Sequence, residues 1–554
     1  MNVLINLLSR LRLMKAAWFV WRPFLRMTRD PARVQRELLL TILARNRGTR
    51  FGREHAFASI RTPEEYAVRV PVQTYEDLRP YIERQEEQRT PELVPEQPLM
   101  YARTSGSTGA PKLIPVLKDT IARHHLSQQI FSCCHAAEVP GLFDGSILGF
   151  VSPAVEGHLP TGTPFGSMSG LIYQSMPRLL RRKYLVPPEV FACADHDLKY
   201  RLIAIFAAAD RHISYIAGAN PSSFLKMARV IQAEAPAIIA AVESGELPGL
   251  AKLDAESARR IQTAFRGSRQ RAAELRKLFD DNQEVTFARL WPDLKAVSCW
   301  REGSCRVLLP ALQRLLPEGL PMLEMGYLSS EFRGSVPVSS LGHLEVPTFH
   351  ENYFEFIERD DWESGRATVR TMAEIESGKT YHVIVTTQAG LFRYFMNDLV
   401  VVDGFYERVP TIKFLEKGAG VTNITGEKLY ESQVTAAMES VARTRNWFPD
   451  FFMLVADADR QCYRLYAEAH DGIGADLDRE LDAALAARNI EYESKRESGR
   501  LNPVELKLLR PGTGEAYKAH LVANGQREAQ FKFQRLQSRE KLGFNFDEHL
   551  ISLS

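Results

Sequence analysis

One loop in the chain combines the residue types needed to hold a polyphosphate. Residues 104–112 read TSGSTGAPK, in which Gly106 and Gly109 permit a tight turn whose consecutive backbone N–H groups converge on an anion. The hydroxyl donors and the positive charge come from the other side chains of the loop: Thr104, Ser105, Ser107, Thr108 and Lys112. The spacing fits neither a Walker loop nor a dinucleotide fingerprint. The loop therefore predicts a nucleotide-phosphate site of another kind.

Segments before and after this loop resemble one enzyme family. In chain order they are residues 70–72 (VPV), 75–78 (YEDL), 80–82 (PYI), 112–115 (KLIP), 326–331 (GYLSSE), 390–394 (GLFRY), 426–428 (GEK) and 530–532 (QFK). They resemble motifs of the acyl-adenylate-forming superfamily and, within it, the plant auxin-responsive acyl acid amido synthetases, which join amino acids to small acids. The resemblance covers residues 51–535, most of the chain. Because the segments occur in the order of the family's motifs, we interpret the chain as a member of that family.

The resemblance implies how residues 326–331 would treat a bound ATP. Tyr327 would stack on the adenine base and Ser330 would contact the nucleotide. Glu331 would act beside Mg²⁺, in indirect contact with it, since a carboxylate suits a hard cation that bridges phosphate oxygens. ATP and Mg²⁺ are therefore the expected cofactors.

A second nucleotide contact is implied by Asp398, which follows residues 390–394. In the family an aspartate here accepts hydrogen bonds from the ribose hydroxyls, a role that an ionised carboxylate fills well. The chain departs from the family pattern at Phe395, usually arginine, and at Asn397, usually glycine. We therefore expect the turn before Asp398 to differ in geometry.

The C-terminal motifs imply a catalytic contribution from a second domain. The resemblance assigns catalytic roles to Lys428 and Lys532 together with Glu331. Lys532 would enter the site during adenylation, where its charge would stabilise the pentavalent phosphate and the leaving pyrophosphate. Lys417 and Gly418 lie in a glycine-containing break that is a plausible hinge.

The acid-binding residues leave a weaker trace. The resemblance places the acid between the phosphate loop and neighbouring helices, and the helix predicted after residue 118 carries Arg123, which could orient a carboxylate. A solvent-facing or internally paired Arg123 is an equally good interpretation. His124, His125 and His135 have no recognised metal spacing, so no zinc site is predicted.

Strand and helix patterns alternate in the part of the chain that must position these residues. Strands are predicted at 99–103, 112–116, 146–151, 212–217, 294–299, 321–325, 353–358, 381–387, 391–394 and 412–415, with a helix at 118–137 and a helix start at Asn220-Pro221. This predicts an α/β fold: a large N-terminal domain of mixed sheets and flanking helices (1–416), a hinge (417–425), and a small mobile α+β C-terminal domain (426–554).

Composition excludes several other classes. The chain has 554 residues, which is too long for one ordinary core, and a formal net charge of +2, which gives no general attraction to nucleic acid. Its six cysteines match neither a zinc pattern nor a disulfide scaffold. We therefore expect a cytoplasmic protein without a nucleic-acid partner.

The first 27 residues are both apolar and basic. Trp18, Phe19 and Trp21 lie near four basic residues, and these charges are too frequent for a membrane span or a signal peptide. Two interpretations stay open: a helix packed on the main domain, or a basic amphipathic helix in weak peripheral contact with a membrane.

Together these features predict an ATP-dependent ligase. It would adenylate a small carboxylic acid, release pyrophosphate, and transfer the acyl group to an amino acid or another amine. An acyl- or aryl-CoA ligase shares the first step and is the alternative enzyme. A non-catalytic nucleotide- or membrane-binding protein is the alternative from another class.

Overall fold

The computed structural model describes residues 2–104, 112–280, 285–418, 420–425, 427–445, 447, 449–468, 476–524, 526 and 531–551. They form two compact units. The first comprises Met1–Trp300, Arg314–Met396 and Val400–Lys413. The second comprises Arg301–Gln313, Asn397–Leu399 and Phe414–Ser554, so it includes two short segments that precede its main part in the chain.

The α-helices are numbered α1 to α22 in chain order. Their bounds are Asn2–Ala16, Arg22–Met27, Pro31–Asn46, Arg50–Glu54, Pro63–Arg69, Tyr75–Gln88, Lys118–Glu138, Met168–Ser175, Arg178–Arg181, Pro188–Phe191, His196–Ala209, Pro221–Ala233, Ala235–Ser244, Ala255–Ala264, Arg269–Asp280, Phe287–Leu290, Leu309–Leu315, Arg359–Glu363, Glu431–Arg445, Leu477–Ala486, Ile490–Glu497 and Thr513–Ala523. None of the described helices has both the length and the apolar character that crossing a bilayer requires.

The strands are numbered β1 to β21 in the same way. Their bounds are Met100–Thr104, Lys112–Val116, Ser146–Gly149, Gly157–His158, Pro164–Gly166, Ile213–Ala217, Ala296–Cys299, Met322–Glu324, Ser335–Ser339, Leu344–Pro347, Tyr353–Glu358, Val369–Thr371, Thr380–Thr386, Tyr394–Tyr406, Val409–Lys417, Val421–Thr422, Leu429–Tyr430, Phe452–Asp457, Cys462–Glu468, Glu505–Leu509 and Leu536–Ser538.

Three larger sheets are formed mainly by residues of the first unit. The order β2-β1-β5-β4 is a mixed sheet, β3-β6-β7-β8 is wholly parallel, and β12-β11-β13-β14-β15 carries the strands around residues 353–417. All four residues of β7 are buried, as expected for an inner strand of a parallel sheet covered on both faces. The carboxyl end of β8 leads directly into residues 326–331, which places that motif at the edge where α/β enzymes bind ligands.

The second unit is built on the sheet β20-β19-β18-β21. β18 and β19 are antiparallel, whereas β20 and β21 join in parallel. A hydrophobic cluster fills its core: Phe451, Met453, Val455, Tyr466, Leu509, Tyr517 and Phe546. The predicted α+β character of this part agrees with these elements.

Helix starts follow local capping chemistry. The side chain of Asn220 accepts a hydrogen bond from Ser222 N–H at 2.9 Å, and Pro221 occupies the first helical position, so the predicted start of α12 is confirmed. Asp77 accepts from Thr74 N–H at 2.7 Å and so fixes the beginning of α6.

The predicted strand at 391–394 is wrong except at Tyr394, where β14 begins. Arg393 has φ 43°, a left-handed conformation that interrupts an extended chain. Leu391 and Phe392 are both fully buried, although consecutive side chains in a strand would point to opposite faces. Phe392 stacks on Phe51 with ring centroids 4.9 Å apart, so tertiary packing overrides the strand pattern.

Candidate active site

The end of the glycine-rich loop is held by two tyrosines from distant parts of the chain. The Lys112 ammonium donates to the Tyr394 hydroxyl at 3.0 Å and lies 5.6 Å from the centroid of the Tyr75 ring. The Tyr75 hydroxyl accepts from Leu113 N–H at 2.7 Å. Three motifs that are up to about 300 residues apart therefore meet at one lysine, and the aromatic faces favour its positive charge.

The structure describes the two ends of the predicted phosphate loop, Thr104 and Lys112. Thr104 ends β1 and is the register partner of Lys112 at the start of β2. Ser105, Gly106, Ser107 and Thr108 lie outside the described residues. The two strands thus fix both ends of the predicted phosphate loop on one antiparallel ladder.

The motif at 390–394 is paired with the segment that precedes α6. Gln73 N–H donates to the Arg393 carbonyl at 2.9 Å, and Phe395 N–H donates to the Gln73 carbonyl at 2.8 Å. Gly390 has φ 95°, and a side chain there would lie 2.8 Å from Cβ of Leu93. Only glycine suits both the conformation and the close approach, which explains this motif position physically.

Arg393 fastens the same segment to the sheet beneath it. Its guanidinium makes two contacts of 2.9 Å with the Glu355 carboxylate and donates to the carbonyls of Ala67 and Val70 at 2.8 and 2.6 Å. Burial raises the pKa of Glu355, while the guanidinium acts in the opposite direction. The bidentate pair is therefore a buried anchor for the strand that begins at Tyr394.

Residues 327–334 form a tight loop with Ser330 and Glu331 at its tip. Gly334 N–H donates to the Tyr327 carbonyl at 2.7 Å, and Ser329 N–H donates to the Phe332 carbonyl at 3.1 Å. The Tyr327 ring is buried, whereas Ser330 and Glu331 are half-buried. Glu331, the carboxylate predicted to act beside Mg²⁺, therefore lies at the tip of a loop closed by backbone hydrogen bonds.

A buried carboxyl group supports this loop from below. Ser335 Oγ accepts from Tyr327 N–H at 2.8 Å and donates to Glu345 Oε2 at 3.0 Å. Burial, followed by the charge of Glu324, raises the pKa of Glu345 to about 8, although Arg333 and the hydrogen bond from Ser335 act in the opposite direction. Motif comparison missed this group because β10, which carries it, belongs to no recognised motif.

Replacing Glu345 by glutamine is expected to flatten the pH dependence of stability. The folded chain keeps a proton on Glu345 up to about pH 8, whereas an exposed glutamate releases it near its ordinary pKa of 4.5. Unfolding of the natural chain therefore becomes more favourable as pH rises from about 5 to about 8. Thermal unfolding midpoints across this range should fall for the natural chain and fall less for Glu345→Gln.

The exposed Glu318 provides the matched control for this comparison. Glu318→Gln should show the same pH dependence of stability as the natural chain, because the Glu318 side chain is already exposed to solvent in the folded chain. If the unfolding midpoints of the natural chain and of Glu345→Gln fall equally as pH rises across this range, the assignment of a raised pKa to Glu345 is contradicted.

Asp398 is tied to the predicted hinge residues within the second unit. Its buried carboxylate pairs with the Lys417 ammonium at 3.2 Å, and Gly418 N–H donates to the Asn397 carbonyl at 2.8 Å. Asn397 has φ 53°, the left-handed conformation that glycine favours and that asparagine tolerates better than most residues. The asparagine in place of the family's glycine is thus compatible with a left-handed turn before Asp398.

Lys532 lies on a segment anchored by its neighbours. Phe531 and Arg535 are buried, and the Arg535 guanidinium donates to the Phe452 carbonyl at 2.8 Å. The Lys532 side chain is half-buried, with its ammonium 4.5 Å from the centroid of the Phe414 ring. Gln530 lies outside the described residues. The buried Phe531 and Arg535 therefore anchor the segment on either side of Lys532, whose ammonium lies against the Phe414 ring.

Lys428 has an exposed side chain and follows a buried glutamate. Burial alone would raise the pKa of Glu427, but hydrogen bonds from Ile424 N–H and the Tyr463 hydroxyl, at 2.9 and 2.8 Å, lower it below its ordinary value. Gly426 lies outside the described residues. Glu427 thus organises the turn from which Lys428 projects.

Arg123 on α7 is ion-paired rather than isolated. It donates to Asp119 at 2.8 Å, and the same carboxylate pairs with Arg45 at 3.3 Å. At the next residue, His124, the pKa is lowered to about 4, chiefly by burial; the charge of Glu351 raises this pKa and the charge of Arg333 lowers it. An acid bound by Arg123 would compete with Asp119, and the acid-binding role of Arg123 stays a prediction.

Comparison with known proteins adds family-level information. Models of the GH3 family match three consecutive parts of the chain: the N-terminal domain at residues 21–322, the central domain at 346–417 and the C-terminal domain at 432–541. A probable indole-3-acetic acid-amido synthetase, GH3.2 of Oryza sativa subsp. japonica, is 26% identical over 555 residues, which cover 92% of this chain and 89% of that protein.

Solved structures show the same architecture. The GH3.15 acyl acid amido synthetase superposes with a TM-score of 0.83 at 21% identity, covering 100% of this chain and 97% of that chain. A 2-hydroxyisobutyryl-CoA ligase in its postadenylation state superposes with a TM-score of 0.53 at 14% identity, covering 92% and 89%. These similarities confirm the predicted fold class, the α/β fold of acyl-adenylate-forming enzymes.

Proposed function

The chain belongs to the GH3 family, as its motifs predicted, and from this premise we propose that it is an acid–amino-acid ligase that consumes ATP and forms AMP. The observation that carries the proposal is the meeting of Tyr75, Lys112 and Tyr394 at the end of the glycine-rich loop. A lysine held at this position by groups from three separate motifs suits a site for nucleotide phosphates.

The chemistry begins with a poor electrophile. Attack on a carboxylate must add charge to an anion and expel oxide, so the acid is first converted to a mixed anhydride. A carboxylate oxygen attacks the α-phosphorus of ATP in line, and pyrophosphate leaves. Lys112 and the loop hold the phosphates, while the family resemblance assigns the ribose to Asp398 and the base to Tyr327. Positioning and electrostatic stabilisation supply most of the acceleration.

Glu331 is the residue that would act beside Mg²⁺, in indirect contact with it, when the metal is bound. A single half-buried carboxylate at a loop tip fits this ion, which in nucleotide sites is usually held by one or two carboxylates together with substrate phosphates. The metal would supply neutralisation of phosphate charge.

The second half-reaction transfers the acyl group. The amine nitrogen attacks the carbonyl carbon of the acyl-AMP, AMP leaves with one carboxylate oxygen, and the amine loses a proton. We propose that rotation about residues 417–425, which include Lys417 and Gly418, withdraws Lys532 and opens a route for the amine, with Lys428 taking part from the start of the second domain.

The acceptor distinguishes this proposal from its closest alternative. The purified chain would be supplied with ATP, Mg²⁺ and a panel of aryl and alkyl acids, with pooled amino acids, with CoA, or with neither. We expect acid-dependent pyrophosphate release that increases with amino acids and yields an amide. Release that increases only with CoA would identify an acyl-CoA ligase. No release with any acid would favour a non-catalytic protein.

A cytoplasmic location remains part of the proposal. All six cysteines lie among the described residues, are buried and form no disulfide, which suits a reducing compartment. The amino-acid acceptor is supported by the names of the plant relatives, and the identity of the acid is left to the screen.

A further inference from the structure

The N-terminal helix presents an apolar face that the fold leaves uncovered. α1 continues through a π-helical turn at Ala17–Trp21 into α2. Six large side chains point outward and form what we call the outer face: Leu7, Leu8, Leu11, Met14, Trp18 and Phe19. Trp18 and Phe19 are 59% and 67% exposed. Single exposed apolar residues are common, but six on one helix face mark an interaction site.

The opposite face holds the helix on the first unit. Ser9, Ala16 and Phe24 are buried, and the Asn6 side chain donates to the Asp144 carbonyl at 2.7 Å. The ring of Phe24 lies edge-on to His350 with centroids 5.0 Å apart. The helix is therefore already packed along one side, so its outer face is not covered by that packing. This face also precedes residue 21, where the match to the family's N-terminal domain begins.

The charged residues of the N-terminal segment itself are all basic, and two of them, Arg10 and Arg29, are paired with carboxylates from later in the chain, Asp144 and Glu407. No acidic residue precedes Asp30, and six exposed basic residues occupy this part of the chain: Arg10, Arg12, Lys15, Arg22, Arg26 and Arg29. The Arg22 guanidinium lies 3.7 Å from the centroid of the Trp18 ring. A second protein would need an acidic rim to match this pattern, whereas an anionic lipid surface supplies both an apolar layer and negative charge.

We propose that the outer face docks the protein on an anionic lipid surface, with α1 lying in the plane of the interface. The apolar side chains insert among the upper acyl chains, and the basic residues meet the lipid phosphates. This is a surface contact and not a span, since none of the described helices meets the requirements for crossing. The inference does not depend on the proposed reaction.

Vesicle sedimentation of the full chain tests the docking. Vesicles of phosphatidylcholine alone are compared with vesicles that also contain phosphatidylglycerol. We expect binding to the anionic vesicles that is at least about tenfold tighter than to the neutral ones and that weakens with salt. A chain that sediments with neither vesicle would overturn the proposal.

Two variants divide the contribution of the face into its parts. Leu11→Gln, Trp18→Gln and Phe19→Gln together should weaken binding by at least about tenfold, since apolar insertion is lost. Arg12→Gln with Lys15→Gln keeps the apolar face and should reduce the preference for anionic vesicles. Val68→Gln with Ile490→Gln removes exposed apolar side chains elsewhere, at 86% and 80% exposure, and should bind like the natural chain.

The oligomeric state separates a lipid surface from a second copy of the chain. The triple glutamine variant and the natural chain should have the same mass in solution. Unchanged vesicle binding in the triple variant would contradict the proposal. Loss of a dimer in that variant, without vesicle binding by the natural chain, would also contradict it and assign the outer face to a contact between copies.

Discussion

Replacing Lys532 by alanine should reduce acid-dependent ATP–pyrophosphate exchange by roughly 10²–10³-fold, the range for removal of one preorganised charge-stabilising group. The fold around it should persist, because the neighbouring Phe531 and Arg535 provide the buried anchors. The cation–π contact with Phe414 is lost, at a cost of about 0.5–1 kcal/mol. Exchange and the thermal unfolding midpoint would be measured on the same preparation.

Two controls isolate the role of Lys532 in the first half-reaction. Lys541→Ala removes an exposed lysine nearby in the chain and should leave exchange unchanged. Synthetic acyl-AMP supplied with an amino acid bypasses adenylation, so Lys532→Ala should form amide from it at nearly the natural rate. Normal exchange in Lys532→Ala, or an equal loss of exchange in Lys532→Ala and Lys541→Ala, would contradict the assignment of Lys532 to adenylation.

Replacing Glu355 by glutamine should destabilise the protein by about 3–5 kcal/mol. The substitution leaves the Arg393 guanidinium buried without its bidentate carboxylate, while the carbonyls of Ala67 and Val70 can neutralise none of its charge. The free energy of unfolding in urea measures this cost. Activity should fall as well, because Arg393 precedes Tyr394, the partner of Lys112.

The exposed pair of Arg33 and Glu37 is the control for this comparison. Glu37→Gln should cost less than about 1 kcal/mol, since exposed pairs contribute little. Removing both buried charges, with Glu355→Leu and Arg393→Met, should recover part of the stability lost by the single substitution. Similar costs for Glu355→Gln and Glu37→Gln would show that the buried pair is no anchor.

Strands and helices were predicted well where the hydrophobic pattern of a short segment alone determines them. Residues 112–116 and 353–358 are strands with the predicted bounds, and the helix after residue 118 is one residue longer than predicted. Alternating and buried β-branched or aromatic runs between breakers define such strands without reference to the rest of the chain. The family motifs then placed these elements in one known fold.

Long-range pairing could not be predicted from the sequence. The partnership of Arg393 with Glu355, and of Gln73 with the backbone around Tyr394, depends on tertiary contacts that no periodicity encodes. Arg393 is also left-handed, and the strand predicted from residue 391 begins only after it, at Tyr394. The association of Arg301–Gln313 with the second unit is a further case, since nothing in that segment marks it as separate.

The departure at Asn397 shows how a motif difference can be interpreted physically. The sequence predicted an altered turn, because asparagine stands where the family has glycine. Asn397 adopts φ 53°, a conformation that glycine takes freely and asparagine takes at modest cost. The altered turn stays a prediction, and the left-handed conformation of Asn397 is the feature that an asparagine can supply before Asp398.

The fate of one oxygen atom tests the central claim most directly. An acid accepted in the screen would be labelled with oxygen-18 in its carboxylate and incubated with the chain, ATP and an amino acid, and the nucleotide product would be analysed by mass spectrometry. Attack of the carboxylate on the α-phosphorus predicts AMP that carries one labelled oxygen. Unlabelled AMP, or ADP with the label in inorganic phosphate, would contradict it.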